Sequence, residues 1–75
     1  MKITDLNGKN ICFIGYAREG QAMQKALKKY APNAKLTFAD ADSSIKPDGA
    51  ETQTGPHYLN NLERFDVVIR SMGVP

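Results

Sequence analysis

Tryptophan is absent from this 75-residue chain, and cysteine and histidine each occur once. A single cysteine excludes an internal disulfide and suits a reducing compartment. With one histidine, His57, and one thiol, Cys12, no His/Cys ligand set exists, so no metal site is expected. Charge of one sign is also lacking. Ten Lys and Arg against eight Asp and Glu leave a net +2, too small and too scattered to argue for nucleic acid. No stretch approaches the roughly 18 apolar residues of a membrane span, and Met1–Asp5 opens no signal-peptide core. The expectation is a cytoplasmic protein with neither membrane nor nucleic-acid partner.

Chemistry-bearing patterns are equally scarce. Gly8-Lys9-Asn10 has neither the upstream glycine nor the Ser/Thr of a P-loop, so no lysine cradle for ATP phosphates is present. No pair of titratable groups is spaced for acid–base work. Cys12 lies between Ile11 and Phe13, which suits a buried, inert thiol. On chemistry, then, the sequence says almost nothing.

What the chain does have is alternation. Asn7-Gly8 marks a turn before Ile11-Cys12-Phe13-Ile14, an apolar run suited to a strand buried on both faces. From Arg18 to Tyr30, Ala22, Met23, Ala26, Leu27 and Tyr30 recur at helical spacing. Lys25, Lys28 and Lys29 fall late in that helix, where cations suit its dipole, and Pro32 stops it. Lys35–Ala39 reads as a second strand and Asp42–Gly49 as a loop. Glu51–Thr54 reads as a short third strand despite having no apolar residue. Pro56 opens a predicted second helix, with Tyr58, Leu59, Leu62 and Phe65 on one face, and Val67-Val68-Ile69 is the fourth strand. Such an order predicts one small α/β domain, mainly a parallel sheet with helices on its faces. Right-handed crossovers and double winding give strand order 3-2-1-4.

Winding then reverses between strands one and four, where a crevice opens beyond the carboxyl ends of the strands. Two segments flank it: Gly15-Tyr16-Ala17-Arg18-Glu19-Gly20, joining the first strand to the first helix, and Ser71-Met72-Gly73, after the fourth strand. Gly15-x-Ala17-x-x-Gly20 is one methyl group away from the Rossmann fingerprint G-x-G-x-x-G. In that pattern helix-start N–H groups face a phosphorylated nucleotide, and an acid at the next strand end faces its ribose or base. Gly15 serves the tight turn and Gly20 the close helix–strand packing, while Ala17 loosens the backbone approach to a pyrophosphate.

Each residue also has a plainer explanation. Arg18 can meet a diphosphate by charge-assisted hydrogen bonds. Glu19 repels one by about 1 kcal/mol at 4 Å in water, yet gains roughly 0.3–1 kcal/mol from the helix dipole without any ligand. Asp40 is either the ligand-facing acid or a turn aspartate that caps the loop. Asp42 competes with it for both roles. Ser71 and Gly73 are set apart from an ordinary loop only by their position at the crevice.

The same residues resemble a known family. Asn7–Asn10, the glycine loop Gly15–Gly20, Phe38-Ala39-Asp40, Thr54-Gly55 and the closing Phe65–Pro75 are similar to segments of the Mur ligases, specifically to the N-terminal domain of the UDP-N-acetylmuramoyl-L-alanine–D-glutamate ligases. The likeness covers essentially the whole chain, and the last segment, usually ending Ser-Pro-Gly-Ile/Val-Pro, is its most specific part. Ala17 departs from the middle glycine, Met72 from the usual proline, and Asp42 from a basic or polar residue.

The resemblance implies a domain, residues 1–75, that holds the UDP part of UDP-N-acetylmuramoyl-L-alanine in peptidoglycan synthesis. Gly15, Ala17, Arg18, Glu19 and Gly20 would face uridine and diphosphate, Asp40 and Ala41 the uracil, and Ser71 and Gly73 the far side of the crevice. It implies no cofactor in this segment. ATP and Mg²⁺ would belong to a central domain, and the amino-acid contacts to a C-terminal domain. Both are absent from the sequence, which reads as a fragment whose partner is the central domain of its own parent chain. Two other readings fit the residues alone: an NAD(P)-binding Rossmann module of a dehydrogenase or regulatory protein, and an interaction domain without a ligand.

Overall fold

The computed structural model describes residues 2–70. Ser71 and Gly73 therefore lie outside the described residues. Four parallel strands, β1 (Asn10–Ile14), β2 (Lys35–Asp40), β3 (Glu51–Thr54) and β4 (Val67–Arg70), form one sheet in the order β3-β2-β1-β4. One α-helix, α1 (Arg18–Tyr30), crosses from β1 to β2. The expected small Rossmann-like arrangement and its strand order are both present. No helix among the described residues is long and apolar enough to cross a membrane.

The apolar run of the first strand explains why β1 is central. Ile11, Cys12, Phe13 and Ile14 are all buried, so both faces of the strand need cover. Ile11 and Phe13 join Leu36, Phe38, Leu27 and Ala31 on the helix side, with Leu6 from a short 3-10 turn at Ile3–Leu6. Cys12 and Ile14 join Ala39 and Phe65 on the other side. Edge-to-face packing of Phe13 on Phe38, with centroids 6.1 Å apart, closes the helix-side core.

The helix face is rotated relative to the apolar spacing. Gly20 and Leu27 are buried, whereas Ala22 is exposed and Tyr30 is 49% exposed. A glycine at the contact lets the backbone of α1 approach the sheet, so the buried line runs through Gly20, Met23 and Leu27. Tyr30 instead lies under the ammonium of Lys29, 5.2 Å from the ring centroid.

The predicted second α-helix does not form. Residues 56–61 make turns and Leu62–Arg64 a single 3-10 turn, held by bonds of spacing three such as Tyr58 N–H to Gly55 O and Phe65 N–H to Leu62 O. Two causes are visible. Asn61 sits in the left-handed region, at φ 59°. The side-chain amide of Gln53 donates to the carbonyls of Tyr58 and Asn60, at 2.8 and 2.6 Å, and an α-helix would use those acceptors for the N–H groups of residues 62 and 64. Its Oε1 accepts from the Arg64 guanidinium. Gln53 thus gives polar β3 a purpose that its own sequence hides. The segment still covers the sheet through Phe65, Tyr58 and Leu62, but Leu59 is left 45% exposed.

Candidate functional site

The carboxyl ends of β1 and β4 lie side by side, with Ile14 in register with Arg70. The polypeptide leaves β1 through Gly15 at the level where β4 ends. Gly15 has φ 99°, a left-handed value that favours glycine, and its N–H donates to Ala39 O at 2.7 Å. The next residue reverses inward. The Tyr16 ring packs edge-on against fully buried Phe38, at 4.8 Å between centroids. Ala17 then provides the N-cap of α1 without any side-chain cap, so the donors of the first turn depend on groups from outside the helix.

Ala17, Arg18 and Glu19 are exposed at this helix start, and Gly15 and Gly20 are buried beneath it. The close approach expected at Gly20 is there. A Cβ on it would stand 2.8 Å from the Gly15 carbonyl oxygen and 2.9 Å from Phe38 Cε1. Gly20 therefore sets the distance between α1 and the turn that precedes it.

Asp40 ends β2 on the same rim, with Ala41 exposed beside it. Its Oδ2 accepts the Tyr16 N–H at 2.9 Å and its Oδ1 the Asp42 N–H at 2.9 Å. The second contact is the loop cap anticipated for a turn aspartate. The first joins residues 24 apart in sequence, and nothing local announces it. Asp42 continues the chain of caps: its Oδ1 accepts both the N–H and the hydroxyl of Ser44. Those two bonds, the hydroxyl first, hold the Asp42 carboxyl below its ordinary range. Asp42 is therefore engaged within its own loop, while the Asp40 carboxylate reaches the glycine turn.

The structure thus brings Gly15, Ala17, Arg18, Glu19, Gly20, Asp40 and Ala41 to one end of the sheet. Tyr16 is the residue that sequence reasoning passed over, because an aromatic inside a glycine loop carries no spacing signal. Cys12 lies below this rim in the core, where burial pushes its thiol up and the Arg64 charge only partly opposes it. A groove of about 200 Å³ lies elsewhere, lined by Gln24, Lys28 and Gly49 among others. It borders the carboxyl half of α1, whose dipole end is negative and disfavours phosphate.

No family model and no solved structure matches the chain. It is 34% identical over its whole length to UDP-N-acetylmuramoyl-L-alanine–L-glutamate ligase of Salinispora tropica, and 32% identical over 99% of its length to the same-named protein of Xanthomonas euvesicatoria pv. vesicatoria. A UDP-N-acetylmuramoylalanine–D-glutamate ligase of Ligilactobacillus salivarius is 32% identical over 97% of the chain. The chain spans only 17–18% of the length of these relatives. Along its whole length it is a homologue of the N-terminal portion of the UDP-N-acetylmuramoylalanine–glutamate ligases.

Proposed function

We propose that this chain is the domain that binds the UDP moiety of UDP-N-acetylmuramoyl-L-alanine for an ATP-dependent ligase that adds glutamate in peptidoglycan synthesis. The observation that carries the reading is the start of α1, whose N-cap residue Ala17 supplies no side-chain cap and which opens beside the ends of β1 and β4 where the winding reverses. An anion placed there meets first-turn N–H groups and the positive end of the helix dipole. Arg18, exposed at the first helical position, adds a charge-assisted donor for the diphosphate. Each Asp40 oxygen holds one backbone N–H and, as an ionised carboxylate oxygen, has capacity for a second donor. A uracil imide N–H or a ribose hydroxyl suits that vacancy. Ser71 and Gly73 are further contacts to the same ligand in this proposal.

In this reading, ligation draws on groups outside residues 1–75. Among the described residues no three His, Cys, Asp or Glu side chains stand close enough to hold a metal ion, and no P-loop is present in the sequence. In the parent enzyme, ATP with Mg²⁺ would activate the substrate carboxylate as an acyl phosphate, which the glutamate amine then attacks to form the amide. The D-glutamate of the resemblance and the L-glutamate of several relatives' names differ at contacts that belong beyond this chain. The role of residues 1–75 is the same for either: to hold the nucleotide end while the carboxylate reacts elsewhere.

Calorimetric titration of the 75-residue chain with UDP-N-acetylmuramoyl-L-alanine and with NAD tests the proposal. Saturable binding of the first, tighter than any binding of NAD, is expected. Preference for NAD would replace the reading with a dinucleotide module, and heat from neither would leave an interaction domain.

A further inference from the structure

We propose that Asp40 is a positioning residue for the phosphate-facing turn, acting through the Tyr16 amide, and that it couples this turn to the loop after β2. Three anchors fix the path from β1 to α1. The Gly15 N–H is held by Ala39 O, the Tyr16 ring by Phe38, and the Tyr16 N–H by Asp40 Oδ2. The first two belong to the sheet and its core. The third is a charged side chain on the rim, whose other oxygen holds the Asp42 N–H. Asp42 in turn holds Ser44. One carboxylate therefore joins the two loops that border the crevice on the β2 side.

The chemistry of the side chain makes this coupling specific to aspartate. Both contacts are backbone N–H donors, so both oxygens must be acceptors. An asparagine offers one acceptor oxygen and an NH₂ group that would face the second N–H donor to donor. Alanine offers neither. Loosening of the glycine turn is thus graded from Asp40 to Asp40→Asn to Asp40→Ala. The consequence for ligand binding, which rests on the function proposed above, is that Asp40 affects the diphosphate without touching it.

Two measurements on the 75-residue chain test this. Amide hydrogen exchange of Tyr16 should quicken by about tenfold or more in Asp40→Ala, as loss of a bond to a charged acceptor implies. In Asp40→Asn, exchange should quicken at one of Tyr16 and Asp42 and stay near wild type at the other. Exchange at Leu27 and Phe38 should stay unchanged and so report an intact core; Asp40→Asn, nearly isosteric, keeps the test available if the alanine variant fails to fold. Unchanged exchange at both Tyr16 and Asp42 would overturn the anchoring. Titration with UDP and with inorganic pyrophosphate then separates positioning from contact. Weakening of pyrophosphate in Asp40→Asn, with UDP weakened at least as much, supports the positioning role. Pyrophosphate affinity unchanged in Asp40→Asn, with UDP alone weakened, would leave Asp40 a nucleoside contact only and overturn the positioning role. Wild-type chain that binds neither would overturn the functional reading and the ligand half with it, and the exchange result would still decide the anchoring.

Discussion

Replacing Gly20 by alanine probes the contact on which the candidate site is built. The added Cβ would lie 2.8 Å from the Gly15 carbonyl oxygen, 2.9 Å from Phe38 Cε1 and 3.4 Å from Phe13 Cδ1. The first is backbone, and the second belongs to a ring with no exposed surface, so neither yields by a simple rotation. Overpacking of this kind costs about 1–3 kcal/mol. Alanine recovers up to about 1 kcal/mol of helix propensity, less in a first turn. A net loss of about 1–2 kcal/mol follows, which for a domain of this size lowers the midpoint of thermal unfolding by roughly 5–15 °C. Urea unfolding followed by circular dichroism measures it, with Gln21→Ala as the neighbouring control. Gln21 is exposed, and its change should stay within about 0.5 kcal/mol. A Gly20→Ala chain as stable as wild type, with an unchanged urea slope, would refute the close packing of α1 on the turn.

Other parts of the fold lead to further outcomes. Leu27→Ala empties the centre of the helix-side core and should cost about 2–5 kcal/mol in the same unfolding assay, enough to leave a domain of this size partly unfolded. Gln53→Ala removes the donor to Tyr58 O and Asn60 O and should cost about 1–2 kcal/mol, with faster proteolysis confined to residues 55–64. The Cys12 thiol is raised by burial, so the folded state disfavours the thiolate. Stability is unaffected below the ordinary thiol value of 9.0 and falls as pH rises beyond it; in Cys12→Ala that alkaline loss should vanish. Asp42 is shifted the other way. The stability that its bonds to Ser44 contribute is present above its ordinary value of 3.8 and is lost as pH falls further, a loss that Ser44→Ala should reduce in acid titrations.

Much of this fold is legible in particular residues. Four adjacent apolar residues in Ile11–Ile14 mark a strand covered on both faces, and Lys35–Asp40 and Val67–Arg70 fall beside it as parallel neighbours. Crossover handedness then supplies the strand order. Misjudgement begins where a distant side chain intervenes. The apolar spacing of Tyr58, Leu59, Leu62 and Phe65 is helical, but Gln53 occupies two carbonyls such a helix would need. Ala22 and Tyr30 have helical spacing as well, yet the glycine that brings α1 close to the sheet turns them outward. At the site, the glycine spacing and the acid at the end of the second strand point to the rim where Gly15–Gly20 and Asp40 come together. The bond between Tyr16 and Asp40 does not show in any local pattern, because it depends on two strands being neighbours.

In the proposed function, a nucleotide diphosphate sits at the start of α1, between the ends of β1 and β4. Amide chemical-shift mapping of the 75-residue chain with UDP-N-acetylmuramoyl-L-alanine tests it directly. Saturable shifts should cluster at Gly15–Gly20, Asp40 and Ala41, and Ser71–Gly73, with Gln24, Lys28 and Gly49 unmoved. Shifts centred on those last three residues, or spread without saturation, would contradict it.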